Sequence, residues 1–391
     1  MTLKIEARHL YRIFGKEPDR ALALLRQGQD KDSIYAETGQ VVGVNDVSFS
    51  VEQGEIFVIM GLSGSGKSTL VRMLNGLIKP SAGEIIIDGV DVASCSDSDL
   101  RAIRRDKISM VFQHFALFPH KTVAENVAFG LKIKGVGLAE RRDRALGVLE
   151  QVGLAARADS FPRELSGGMQ QRVGLARALA SDPEVLLMDE PFGALDPLIR
   201  RDMQDELLDL QKRLKKTIIF ITHDLHEALL LGTHIAVMRN GRFVQVGTPE
   251  QIVGEPSDDY VAAFTQDVDR SRVLRARSAA LPIEPIDMAL HPELAMARMI
   301  EMSATAVPVF ENGRMAGLLT WHGATGALRK GETDLRKAIV ADYPSTSIDS
   351  KLDAVMPLAS SELPVVLIGA DGRPEGLVTQ QSLLGKLSEH H

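Results

Sequence analysis

Residues Ile56 to Leu77, IFVIMGLSGSGKSTLVRMLNGL, set a glycine-rich turn between a short apolar run and a segment with apolar residues at helical spacing. Few folds accommodate that order. The run Ile56 to Met60 suits a strand buried on both faces, whereas Leu70, Met73, Leu74 and Leu77 recur as one face of a helix. Between them lies G-x-x-x-x-G-K-S, from Gly61 to Ser68. Gly61, Gly64 and Gly66 let successive backbone N–H groups turn toward one anion at the positive end of the helix, and Leu62, Ser63 and Ser65 complete the loop. Lys67 is then placed to reach the β- and γ-phosphates of a nucleotide, Ser68 to ligate a magnesium ion, and Thr69 follows it.

A chain of 391 residues is too long for one ordinary domain, so two or three are expected. Its 45% hydrophobic and 25% charged content is that of a globular protein, and no apolar run approaches the length that crosses a bilayer. The opening MTLKIEARHL lacks a basic segment followed by an apolar core and a small-residue cleavage site, so no secretory signal is expected. The lone Cys95 fits a reducing compartment. A net charge of −7 argues against a nucleic-acid partner.

Ile5 to Phe14 reads as a first strand ending in an aromatic that can pack in a core or stack on a base. The polar segment 16–40 carries an apolar stripe at Leu22, Leu25 and Ile34, hence a helical insertion. Val47, Phe49 and Val51 alternate as in a half-buried strand, and PSAGEIIIDGVDV reads as turn, strand, turn and strand. A second buried strand, Ile108 to Phe112, delivers Gln113 to a strand end. After a helix at Leu138 to Gly153 comes ELSGGMQQRVGLARALA, where Ser166, Gly167 and Gly168 precede a helix with Met169, Val173, Ala176 and Leu179 on one face. This is a second anion site by the physics of the first. Val185 to Met188 is a third buried strand and ends in Asp189-Glu190. Adjacent acids at a strand end are commonly only solvated; below a phosphate loop, the aspartate can hold magnesium through water and the glutamate can deprotonate an attacking water. Leu198 to Lys216 is an amphipathic helix, and Ile218 to Thr222 delivers His223 to the same edge. His223 and His226 have no third ligand nearby, so a metal pair is not expected.

Phosphate loop, Gln113, LSGGMQ, Asp189-Glu190 and His223, in this order, resemble the ATPase subunit of an ATP-binding cassette (ABC) transporter. The resemblance implies that two cassettes dimerise head to tail, with the Leu165, Ser166, Gly167, Gly168, Met169 and Gln170 turn of one capping the γ-phosphate held by Lys67 of the other. It further implies that Phe14 stacks on adenine, Gln113 senses the metal and touches the membrane subunits, Asp189 supports magnesium, Glu190 is the general base, His223 touches the γ-phosphate, and Asp196 lies in a loop crossing the dimer. HFALFPHKTVAENVAFG resembles the surface that meets a permease. The insertion, together with GEIFVIMGLSGSGKST and DPLIRRDMQDELLDLQ, is similar to the ATPases of bacterial glycine betaine, proline and choline-type importers.

The stretch from Arg270 to Arg277 is basic and leads to Pro282 and Pro285, which reads as a linker. Beyond it NGRMAGLLT, Asn312 to Thr320, recurs as DGRPEGLVT, Asp371 to Thr379, in two halves that each read helix, strand, turn, strand, helix. The pair resembles tandem CBS modules. Such modules often hold an adenosine ribose with an aspartate three residues after the threonine, and here those positions are Gly323 and Ser382, so dimerisation alone is the competing role. From Pro282 to His391 there are nine Lys and Arg against fourteen Asp and Glu, a net of −5, yet Arg329, Lys330, Arg336 and Lys337 cluster at the junction of the halves. Anionic lipid or a nucleotide are the candidate ligands there.

The expected architecture is α/β: an ABC-type phosphate-loop cassette with a mixed core sheet at 1–269, including a helical subdomain at about 115–180, a linker at 270–281, and an α+β tandem CBS domain at 282–389. The expected function is hydrolysis of ATP with Mg2+ by a homodimer on the cytoplasmic face of the inner membrane. It would drive import of a quaternary-amine osmoprotectant through a separate permease fed by a periplasmic or lipid-anchored binding protein. Rivals are a soluble cassette protein of translation or repair, which usually fuses two cassettes or carries a long coiled coil, and a CBS-centred nucleotide-sensing regulator.

Overall fold

A computed structural model describes residues 2–112, 116–360 and 363–388, and the chain divides into two compact units, Met1–Gln266 and Asp267–His391. Gln113 and the terminal histidines lie outside the described residues.

The first unit begins with β1 (Leu3–Phe14), the helices α1 (Pro18–Arg26) and α2 (Lys31–Thr38), and β2 (Val41–Glu52). Along β2 the apolar Val44, Val47, Phe49 and Val51 are buried, which fixes its register against β1. The two helices fill the insertion at 16–40. Leu22, Leu25 and Ile34 bury against Ile13 and Val42, and Asp30 accepts from the amides of Asp32 and Ser33 to start α2. After β3 (Ile56–Met60) and α3 (Lys67–Leu74), β4 (Ala82–Ile87) and β5 (Val90–Asp91) complete an antiparallel sheet of order β2-β1-β4-β5.

Next come α4 (Asp97–Asp106) and β6 (Ile108–Val111), then the helical subdomain of α5 (Val123–Val127), α6 (Phe129–Ile133), α7 (Leu138–Gln151) and α8 (Gly167–Ala180). Leu149, Val152, Val173 and Ala176 lie in the apolar cluster that joins these helices, so the subdomain has its own core. The chain returns through β7 (Val185–Asp189), α9 (Pro197–Leu214), β8 (Thr217–Thr222), α10 (Leu225–Leu231), β9 (His234–Arg239) and β10 (Arg242–Gly247), and the unit closes with α11 (Pro249–Gly254) and α12 (Asp259–Thr265). The core sheet runs β10-β9-β3-β8-β7-β6, parallel except for the β9–β10 hairpin, hence mixed. Every residue of β3, β7 and β8 is buried, as strands covered on both faces require. Met60 pairs with Thr222 and Asp189 with Ile221, so the residues that follow all three strands emerge at one edge of the sheet.

In the second unit a sheet of order β11-β12-β13-β14 and one of order β15-β16-β17 are formed by β11 (Ile286–Asp287), β12 (Ala306–Glu311), β13 (Arg314–Thr320), β14 (Ile339–Val340), β15 (Ser345–Ser347), β16 (Val365–Ile368) and β17 (Pro374–Val378). The helices α13 (Pro292–Glu301), α14 (Trp321–Lys330), α15 (Leu352–Val355) and α16 (Gln380–Ser388) accompany them. Each half carries the expected hairpin. The first turns at Asn312-Gly313, with φ of 52° and 76°, as a two-residue hairpin loop demands. The segment 270–281 departs from the expected linker. Leu274, Ala276 and Ala279 are buried with Leu352, Val355, Val365 and Val378, and the division of the chain falls at 266/267 instead. Its two short 3-10 turns, Arg270–Arg272 and Ala276–Ala279, carry exposed arginines around a few small buried side chains, which is why its composition reads as a linker.

Candidate functional site

The turn after β3 is wedged between two neighbouring strands. A Cβ at Gly61 (φ 151°) would sit 2.2 Å from the Met238 carbonyl oxygen and one at Gly66 (φ 109°) 2.3 Å from that of Gly43, so both positions require glycine on two counts. At Gly64 (φ 78°) nothing lies within 4 Å, and the loop faces open space there. Lys67 is buried, and its Nζ donates to the carbonyls of Gly61 (2.8 Å) and Leu62 (3.1 Å). Burial pushes this ammonium down from its ordinary pKa, opposed by the charges of Glu190 and Asp189. The Ser65 hydroxyl is buried with no hydrogen-bond partner among the described residues. Leu62 and Ser63 are exposed, and Thr69 lies in the first turn of α3.

Ser68 Oγ donates to Asp189 Oδ1 at 3.0 Å, joining the start of α3 to the end of β7. Burial raises the Asp189 carboxyl, against the hydrogen bond from Ser68. Hydroxyl and carboxylate together are the oxygen set a hard divalent cation prefers. The next residue, Glu190, holds a left-handed backbone (φ 46°), and its N–H donates to the Ile221 carbonyl at 3.0 Å. His223, one residue past β8, has Nδ1 3.0 Å from Glu190 Oε2. An ammonium, a hydroxyl, two carboxylates and an imidazole thus converge at one strand edge. Gln113, expected there too, lies outside the described residues. Phe14 ends β1 with the Arg12 guanidinium 4.5 Å from its ring centroid, and a Cβ at Gly43 would meet its ring edge at 2.8 Å.

Ser166 N-caps α8 by accepting from the Met169 amide, and Gln170 Nε2 donates to the Leu165 carbonyl at 3.2 Å. Gly167 is exposed, while a Cβ at Gly168 would meet Ile199 at 2.5 Å, so this glycine lets the first turn of α8 approach α9 closely. Asp196 N-caps α9 through the Ile199 amide at 3.1 Å. Leu165 to Gln170 and Asp196 therefore form a second group. Sequence reading misses a polar set behind His223: the buried Glu227, Thr222 and Gln204, with the half-buried Arg200 beside them. The set joins two stretches of chain, Gln204 and Glu227 being 23 positions apart, and only the spacing of Arg200 and Gln204, one turn apart on α9, hints at a shared task.

Fold and site define a phosphate-loop nucleotide-binding cassette. The family model for ABC transporters matches residues 44–193. Over 387 residues, 98% of each chain, the sequence is 48% identical to the glycine betaine/carnitine transport ATP-binding protein GbuA of Listeria monocytogenes. It is 57% identical over 280 residues to the glycine betaine/proline betaine transport system ATP-binding protein ProV of Escherichia coli, covering 72% of this chain and 70% of that protein. The dimeric post-hydrolysis structure of the ATP-binding cassette MJ0796 with ADP and Pi superposes with a TM-score of 0.53 at 33% identity, covering 62% of this chain and 98% of that one. The chain belongs to the ATP-binding proteins of ABC transporters.

Proposed function

We propose that this chain is the ATP-hydrolysing subunit of an importer for a small quaternary amine such as glycine betaine, proline betaine or choline, or for proline. It would act as a homodimer at the cytoplasmic face of the inner membrane, on a separate permease supplied by a substrate-binding protein. The observation that carries this reading is a match to a glycine betaine/carnitine transport ATP-binding protein over 98% of both chains, which takes in the second unit as well as the cassette.

In this reading the amides between Gly61 and Thr69 and the ammonium of Lys67 bind the phosphates, and Phe14 stacks on adenine. The glycine cradle and the unpartnered Ser65 hydroxyl fit such an anion. Ser68 and Asp189 would hold a magnesium ion, which neutralises charge building on the transferred phosphoryl group. Glu190 takes the proton of the attacking water, and His223, hydrogen-bonded to it, is aimed at the γ-phosphate. The Leu165 to Gln170 turn acts on the nucleotide of the second copy, with Asp196 at the crossing and Gln113 beside the metal. Uptake of labelled betaine, choline and proline by cells with and without this subunit tests the proposal, and unchanged uptake of all three would overturn it.

A further inference from the structure

The carboxylate of Glu227 is 5% exposed on α10 and belongs to none of the groups above. Its Oε2 accepts from Thr222 Oγ1 at 2.6 Å. Thr222 Oγ1 in turn accepts from the Asp224 amide at 2.9 Å. Thr222 and Asp224 flank His223, whose ring reaches Glu190, so His223 is pinned on both sides through a single hydroxyl. The other carboxylate oxygen, Oε1, accepts from Gln204 Nε2 at 2.9 Å and lies 4.0 Å from Arg200 Nε. Arg200 also reaches Asp224 Oδ2 at 3.4 Å and donates to the Leu195 carbonyl at 3.2 Å, beside the Asp196 cap of α9.

A buried carboxylate whose only guanidinium neighbour among the described residues is 4.0 Å away is poorly compensated. Burial accordingly raises the Glu227 carboxyl above its ordinary pKa, against hydrogen bonds from Thr222 and Gln204. An apolar side chain would fill the space at lower cost, so the polar set is explained by what it holds in place. We infer that Glu227 is a positioning residue for hydrolysis: through Thr222 it fixes the His223 loop in the geometry that brings Nδ1 to Glu190, and through Gln204 and Arg200 it anchors that loop to α9.

The inference rests on the proposed roles of Glu190 and His223, and its test separates the two. With purified full-length chain, Glu227→Gln should lower kcat about 10- to 100-fold, the scale of a misplaced group of roughly 1 Å, while KM for ATP and binding of a non-hydrolysable ATP analogue stay within about twofold. Single-turnover hydrolysis then reads whether the effect passes through His223. In a His223→Ala background, adding Glu227→Gln should cost less than about twofold further, because residues acting as one unit are not additive. Should Glu227→Gln fail to fold, Thr222→Val, which removes only the bridging hydroxyl, is read by the same criteria. A kcat within twofold of wild type, a full-sized loss that persists without His223, or a rise in KM with kcat intact would overturn the inference. Glu190→Gln, run in parallel, isolates the parent reading. If it turns over ATP normally, the assignment of Glu190 fails; if it is inactive while Glu227→Gln is normal, only the positioning role fails.

Discussion

Glu190 carries the heaviest demand at the scale of single residues. Its backbone is left-handed although it has a side chain, a conformation that costs on the order of 1–3 kcal/mol and persists only where surroundings enforce it. The Ile221 carbonyl does so by accepting its N–H. Glu190→Gln preserves shape and removes the proposed base, so steady-state hydrolysis should fall about 10²- to 10⁴-fold with ATP binding retained, read by phosphate release and by equilibrium binding. Near-normal turnover would refute the role. A substitution at Gly66 acts differently. Gly66→Ala forces a Cβ to 2.3 Å from the Gly43 carbonyl at a φ of 109°, so a loss of about 1–3 kcal/mol and of ATP binding is expected, checked by thermal unfolding and binding together. The need for glycine at 61 and 66 is legible in the sequence, because the motif exists for its backbone. The strain at Glu190 is not, since nothing in an acid pair after four apolar residues announces its dihedral.

Single elements are joined by groups that periodicity does not reveal. Lys4, near the start of β1, is buried and pairs with Asp88 in the turn between β4 and β5, at 2.6 Å, and with Glu184 just before β7; Lys107 reaches the same Asp88 at 2.7 Å. The cluster ties the antiparallel sheet to the residues that lead into β6 and β7. In a sequence each of these residues looks like solvated surface, whereas the strands themselves, Ile56 to Met60 and Val185 to Met188, are legible because full burial leaves unbroken apolar runs. The helices α1 and α2 were equally readable from the stripe Leu22, Leu25 and Ile34. Burial would raise the Asp88 carboxyl, but hydrogen bonds from Lys107 and Lys4 together outweigh it and hold it below its ordinary pKa. A depressed carboxyl adds stability that is present above its unfolded pKa, near 4, and is lost as pH falls through the lower folded value. Asp88→Asn should therefore unfold at a lower temperature than wild type at pH 7, with the gap closing on acidification below about pH 4. A gap that is constant in pH would show that the cluster acts only by packing.

For the whole molecule, the two groups of the cassette make a statement about assembly. If the Leu165 to Gln170 turn serves the nucleotide of a second copy, mixing Lys67→Ala with Ser166→Arg subunits can restore at most one composite site per pair, and full activity in every mixture would exclude pairing in trans. The second unit sets a different test. Four basic residues near its repeat junction read in the sequence as a patch for anionic lipid, but the structure pairs Arg336 with Glu311 at 2.7 Å and Lys337 with Glu332 at 2.9 Å, leaving Arg329 and Lys330, exposed at the end of α14, without ion-pair partners among the described residues. Glu311 lies 25 positions from Arg336, beyond the reach of sequence patterning, whereas Glu332 lies five from Lys337. Each basic residue near anionic lipid contributes about 1 kcal/mol within roughly one Debye length, about 8 Å at physiological salt, so two free cations hold with about 2 kcal/mol where four would give about 4. A nucleotide ligand has less support, because a Cβ at Gly323, where a ribose-binding aspartate would stand, meets the Ala338 carbonyl at 2.4 Å, and Ser382 folds back to the amide and carbonyl of Thr379. If lipid contact regulates the protein, transport in liposomes with anionic lipid should shift its dependence on internal salt when Arg329 and Lys330 are both changed to Gln, and should keep it when Arg336 and Lys337 are. Equal thresholds in both variants and the wild type would remove this patch from any role at the membrane.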